Sequence, residues 1–108
     1  MSAPELTASE LAGRTGDDQP TVLDVREDWE WEAGHIAESV HIPLGELGAR
    51  LGELSSDGPI VVVCRSGARS QMAADAMSDA GWDTANLAGG LLAWHAAGLP
   101  LEPPGHVA

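Results

Sequence analysis

The chain has one cysteine in 108 residues. A lone thiol excludes an internal disulfide and any Cys-x-x-Cys metal knuckle. Lysine is absent: the five basic residues are Arg14, Arg26, Arg50, Arg65 and Arg69, set against 17 acidic ones, for a formal charge of −12. A surface of that sign repels polyanions, so neither nucleic acid nor membrane is expected as a partner. No run approaches the roughly 20 apolar residues that cross a bilayer. Residues 1–12 lack a basic stretch followed by a long apolar one, so no leader is expected. A cytoplasmic location, where a reduced thiol survives, follows as the expectation. There is no internal repeat and no low-complexity block. The length suits one core, so 1–108 reads as a single domain, with 101–108 a loose tail around Pro103-Pro104-Gly105.

What remains is a series of short apolar strands alternating with helical patterns. Thr7 or Ser9 can cap a short helix through Leu11. Gly16-Asp17-Asp18-Gln19-Pro20 reads as a turn. Thr21-Val22-Leu23-Asp24-Val25 is a strand bounded by turn residues. Residues 26–33 read as an acidic helix ended by Gly34, with Glu27 to Glu32 a solvated face. Residues 39–42 form a weaker strand, closed by Pro43. Leu44, Leu47, Leu51 and Leu54 recur at spacings of three and four, which predicts an amphipathic helix. Ile60-Val61-Val62-Val63 is apolar on both faces, as in a buried parallel strand. Residues 68–80 predict a helix whose inner stripe is Ala73, Ala76, Met77 and Ala80, with Gly81 at its C-terminal end. Residues 84–87 are a further strand, and residues 89–97 a helix with Leu91 and Trp94 inward. This alternation predicts an α/β fold with a mainly parallel sheet. Ligands of such sheets sit beyond the carboxyl ends of the strands, where Cys64 falls.

Cys64 ends the most apolar strand and opens the loop Cys64-Arg65-Ser66-Gly67-Ala68-Arg69-Ser70, which leads into a helix. Backbone N–H groups, the positive end of the helix dipole and two guanidinium groups are expected to favour the thiolate. Thiols in such settings ionise at roughly 3.5–7.5. Gly67 lets the loop bend, and Ser70 can cap the helix or donate towards sulfur. Such a cradle suits an anion attached to the cysteine: a persulfide, a phosphoryl group or an arsenate.

The loop from Cys64 to Ser70 resembles the active-site loop of single-domain rhodaneses, the sulfurtransferases. Three further blocks match in the same order. They are Leu23-Asp24-Val25-Arg26-Glu27 with Glu32 and Gly34-His35-Ile36; His41-Ile42-Pro43-Leu44; and Leu87-Ala88-Gly89-Gly90-Leu91-Leu92-Ala93-Trp94 with Gly98-Leu99-Pro100. The resemblance implies a rhodanese-like fold, with about five mainly parallel strands flanked by helices on both faces. It implies that Cys64 is the nucleophile, taking sulfane sulfur from a small anionic donor such as thiosulfate. The persulfide would pass that sulfur to cyanide or to a thiol, with thioredoxin, glutathione and a sulfur-carrier protein as candidate acceptors. The backbone of Arg65, Ser66, Gly67, Ala68, Arg69 and Ser70 would cradle the transferred sulfur. Arg65 would face the mouth, and Arg69 would fold back to brace the loop. No cofactor is implied. The alternatives are a sulfur carrier or docking module without turnover and, behind it, a phosphatase or arsenate reductase. Related dual-specificity phosphatases place five residues between Cys and Arg, whereas four separate Cys64 from Arg69. Glu38 and Ser39 stand where the family often has Gly and Ala.

Asp24, near its strand end, is expected to bond the active loop, pair with an arginine or serve structure alone. Arg26 is expected either at the pocket rim or paired with Glu27 or Glu30 on the surface. His35 is read as a hydrogen-bonded structural histidine, since an ionised thiol needs no base. His41, His95 and His106 show no ligand spacing with Cys64, so no metal is predicted. Trp94 is expected in the core. Trp29 and Trp31 should point to opposite sides of their helix, leaving one exposed.

Overall fold

The computed structural model describes residues 2–14, 16 and 19–108. Its core is a five-stranded sheet of β1 (Glu5–Leu6), β2 (Thr21–Asp24), β3 (Val40–His41), β4 (Ile60–Val63) and β5 (Thr84–Leu87). The strand order is β1-β5-β4-β2-β3, and every neighbouring pair is parallel. The helices are α1 (Ala8–Ala12), α2 (Asp28–Ala33), α3 (Leu47–Arg50), α4 (Ala68–Asp79) and α5 (Gly90–Ala96). The turn expected around Gly16 includes Asp17 and Asp18, which lie outside the described residues.

β4 is central, and its four residues are all buried. The strand's two-residue period divides it between two cores. Ile60, Val62 and Cys64 pack with Leu47, Ala73, Ala74 and Met77, on the side of α3 and α4. Val61 and Val63 pack with Leu11, Leu91 and Trp94, on the side of α1 and α5. Helices therefore cover both faces, as an all-parallel sheet requires.

The local expectations meet the structure unevenly. Thr7 caps α1 in a reciprocal capping box with Glu10. The single amphipathic helix expected at residues 44–54 is broken into a 3₁₀ turn (Leu44–Glu46), α3 and a second 3₁₀ turn (Leu51–Glu53). Gly45, Gly48 and Gly52 explain this, each costing roughly 1 kcal/mol against alanine in a regular helix. In α4 the buried stripe is Ser70, Ala73, Ala74 and Met77, while Ala76 and Ala80 are exposed. The stripe begins at Ser70, whose hydroxyl is drawn inward to Cys64, and this rotates the helix away from the all-alanine face. Residues 101–108 are not a detached tail. Leu101 is buried, His35 and Glu102 exchange two backbone hydrogen bonds, and the Trp94 indole donates to the Pro100 carbonyl.

Candidate active site

Cys64 follows β4 directly, and its side chain is 1% exposed. Gly67, with φ of 104°, turns the chain from the loop into α4. This left-handed conformation suits glycine, and it aims successive amides back at the sulfur. Cys64 Sγ accepts from the Gly67 N–H at 3.1 Å and the Ser70 N–H at 3.4 Å, with Ser70 Oγ 3.2 Å away. Burial pushes the thiol's pKa up. The Ser70 hydroxyl and the amides of Ser70, Gly67 and Ser66 together outweigh it, and the thiol is held below its ordinary range. The backbone donors acting on Sγ itself are the amides of Ser66, Gly67 and Ser70.

Residues outside the loop hold it in shape. The first turn of α5 grips its carbonyls: Leu91 N–H donates to Cys64 O at 2.8 Å, and Leu92 N–H to Arg65 O at 3.0 Å. This approach needs Gly90, because a Cβ there would stand 2.5 Å from Arg65 O and 2.6 Å from Cys64 O. From β5, Asn86 Nδ2 donates to Gly67 O at 3.1 Å. Asn86 and Glu30 had no site role in the sequence reading, and Gly90 served only as part of a matching block. Their signal, where there is one, is the Gly89-Gly90 pair at the mouth of a helix.

The arginines do not act as two free charges beside the thiol. Arg69 forms a two-pronged pair with Glu30 of α2 at 2.8 and 2.9 Å. Glu30 is buried, so the acidic segment is not wholly a solvated face. Arg69 holds the Glu30 carboxyl below its usual range, and Glu30 raises the Arg69 guanidinium. Arg65 is exposed, and its Nε donates to Ala108 O at 3.0 Å.

Asp24 does pair with an arginine, and that arginine is Arg26. Both are fully buried, with Nη2 to Oδ2 at 2.8 Å and Nε to both carboxylate oxygens at 3.0 Å. Arg26 Nη2 also donates to Gly34 O. Arg26 thus sits neither at a rim nor on the surface beside Glu27 or Glu30, because a buried guanidinium requires a buried counter-charge. The pair ties the end of β2 to Gly34, the C-cap of α2. His35 Nδ1 lies 2.9 Å from Trp31 O, and His41 Nε2 lies 2.8 Å from Arg26 O. The Trp31 ring stacks with both imidazoles. Trp29 is 65% exposed, and Trp94 is buried. Among the described residues no group of three or more His, Cys, Asp or Glu side chains is placed to hold a metal, and no helix is long and apolar enough to cross a membrane.

A nucleophile under a ring of amides at a parallel-sheet edge has counterparts among known proteins. The family model described as Rhodanese-like domain matches residues 7–97. A putative sulfurtransferase, YtwF of Bacillus subtilis, is 33% identical over 93% of this chain and 98% of its own. An HTH-type transcriptional regulator of Mycobacterium tuberculosis, Rv0324, is 42% identical over 98% of this chain, which spans only 50% of that protein. The crystal structure of a rhodanese-related protein from Thermoplasma volcanium superposes with a TM-score of 0.85 at 34% identity, covering 91% of this chain and 96% of that one. The matched segment runs from the N-cap of α1 to the C-cap of α5 and takes in β2 to β5 and the whole cysteine loop, so the chain belongs to the rhodanese-like family.

Proposed function

We propose that this protein is a sulfurtransferase that carries sulfane sulfur as a persulfide on Cys64. One observation carries the reading: three backbone amides and a hydroxyl converge on a buried sulfur whose ionisation they favour. In the first half-reaction the Cys64 thiolate attacks the outer sulfur of thiosulfate. The new S–S bond forms as the S–S bond of thiosulfate breaks, and sulfite leaves with the electron pair. In the second, cyanide or a thiolate attacks the terminal sulfur and Cys64 departs as thiolate. Once the thiol has given its proton to water, an ionisation the cradle favours, the attack itself needs no external base. Amide donors fixed around the sulfur stabilise the charge wherever it resides. In this reading Arg65, the exposed cation of the loop, attracts the anionic donor.

A phosphatase reading is weaker. The guanidinium that would clamp a phosphate, Arg69, is committed to Glu30 at two points. The deciding experiment is thiosulfate:cyanide turnover by wild type and Cys64→Ser, with mass spectrometry of the protein after thiosulfate alone. One added sulfur on Cys64 and turnover lost in the variant are expected. A persulfide without turnover would mean a sulfur carrier, and no added sulfur from several donors would overturn persulfide chemistry.

A further inference from the structure

The hydroxyl of Ser70 stands between two acceptors. Its oxygen is 3.2 Å from Cys64 Sγ and 2.5 Å from Asn86 Oδ1. A serine hydroxyl has one hydrogen, so it serves one of them at a time. The orientation of the Asn86 amide is set from its other end. Nδ2 donates to Gly67 O at 3.1 Å and to Gln71 Oε1 at 3.1 Å. Gln71 is oriented in turn, because its Nε2 donates to Ala3 O and to Asp75 Oδ1. The Gly67 carbonyl can only accept, so it is Oδ1 that faces Ser70. Two oxygens approach to 2.5 Å only with a proton between them, and Asn86 Oδ1 has none to offer. The Ser70 hydrogen therefore rests on Asn86, and Ser70 Oγ turns a lone pair to the sulfur.

We propose that Asn86 is a positioning residue: it holds the Ser70 hydrogen and so decides how many donors the sulfur of Cys64 receives. With the thiol neutral, the chain runs S–H to Ser70 Oγ, and Ser70 O–H to Asn86 Oδ1. When Sγ gives its proton to water, the hydroxyl rotates about its Cβ–Oγ bond, leaves Asn86 and donates to the thiolate. It then joins the amides of Gly67 and Ser70. Only the S–H bond breaks. Once sulfur is added, the negative charge moves to the terminal sulfur and the hydroxyl returns to Asn86. Asn86 thereby competes with the free thiolate for this donor and keeps the resting thiol more protonated than the cradle alone would. The use of this device in turnover rests on the persulfide reading, but its existence does not.

Charged groups surround the network on each element packed against it. Glu5 of β1 reaches Asn86 Nδ2 at 3.4 Å. Asp75 and Arg69 lie on α4, Glu27 and Glu30 on or beside α2, Asp24 and Arg26 at the end of β2, and Arg65 in the loop. The test therefore reads the sulfur itself, by ultraviolet thiolate absorption against pH, in wild type, Asn86→Leu, Ser70→Ala and the double variant. Asn86→Leu should lower the thiol pKa by about one unit, the worth of one freed hydrogen bond. Ser70→Ala should raise it, and with Ser70→Ala already in place the Asn86 substitution acts only through its bond to Gly67 O and should no longer lower the pKa. A residue that only supports the loop would loosen the cradle, raising the pKa or acting equally in both backgrounds, and either result overturns the proposal. A second measurement keeps the native fold. The side-chain amide signals of Asn86 in the NMR spectrum should titrate with the thiolate midpoint, although Asn86 makes no bond to Sγ. Cys64→Ala should abolish that titration, leaving only any contribution from Glu5. Asn86 signals indifferent to the thiol would sink the idea. Neither measurement involves sulfur transfer, so this proposal and the persulfide reading fail separately.

Discussion

Replacing Gly90 with alanine tests whether α5 shapes the cysteine loop. At φ of 61° an L-residue costs about 1–2 kcal/mol. The added Cβ would also lie 2.5 Å from Arg65 O and 2.6 Å from both Arg65 C and Cys64 O. All three are backbone atoms, so no side chain can swing aside. Relief requires α5 and the loop to separate, which stretches the bonds from Leu91 N–H and Leu92 N–H to those carbonyls. Weakening two buried hydrogen bonds costs roughly 1–3 kcal/mol each if neither is replaced. Gly90→Ala should therefore lose about 4 kcal/mol, a large share of the stability of a domain this size. Gly98→Ala is the internal control. Its φ is 77°, and the added Cβ would meet nothing within 4 Å, so the backbone penalty of about 1 kcal/mol stands alone. Urea unfolding of both variants, with unchanged m-values, measures the difference. Equal losses at the two positions would refute the claim that α5 is seated tightly on the loop carbonyls.

Glu30→Gln should cost about 2 kcal/mol in urea unfolding, because it takes the charge from both bonds to Arg69. Arg69 depresses the folded Glu30 pKa, so this contribution is complete above the ordinary carboxylate value and vanishes as pH falls through the depressed one; a gap between wild type and variant that persists in strong acid would exclude the assignment. Glu38→Gly should stabilise by about 0.5–1 kcal/mol, since Glu38 holds a φ of 64° and its side chain is exposed; a loss in thermal or urea unfolding would count against backbone strain there. With a formal charge of −12, the protein as a whole should repel a dianion, so the Michaelis constant for thiosulfate should fall as salt rises towards about 0.1 M. Arg65→Ala should raise that constant across the series, and no change would remove Arg65 from donor attraction.

The parts of the fold that the sequence disclosed are those written in local pattern. β4 was legible because four consecutive branched apolar residues suit only a strand buried on both faces. The Cys64 loop was legible because its residues are contiguous. Arg26 was misplaced for the opposite reason. A buried ion pair leaves the same composition as a surface one, and only the tertiary position of Asp24 two residues earlier reveals it. The inner stripe of α4 begins three residues earlier than expected because a serine counts as polar in any periodicity, although Ser70 is fully buried against the sulfur. Glu30 was hidden in an acidic run whose other members do face water. Asn86 and Gly90 come from β5 and α5, twenty or more residues beyond the cysteine, and no spacing rule connects them to it.

This division bears on how the site stabilises an anion. The motif sets two arginines beside Cys64, yet one is matched by a buried carboxylate and the other donates to Ala108. Stabilisation of charge at the sulfur then falls chiefly to dipoles, the amides of Ser66, Gly67 and Ser70 and one hydroxyl, with Arg69 adding a Coulombic attraction. Dipoles held by backbone geometry are screened little by salt and act over one bond length, so they favour a small anion at one point rather than a diffuse one. They are also useless unless fixed, since a mobile amide gives a buried thiolate no more than water would. Residues outside the loop do the fixing: α5 amides on the Cys64 and Arg65 carbonyls, Asn86 on the Gly67 carbonyl, and Glu30 on Arg69. Arg69 is then best understood as a tie between α2 and α4, whose own charge is largely cancelled where it stands. On that account Arg69→Lys, which keeps the charge but loses the two-pronged grip, damages the site nearly as much as removal of the charge altogether.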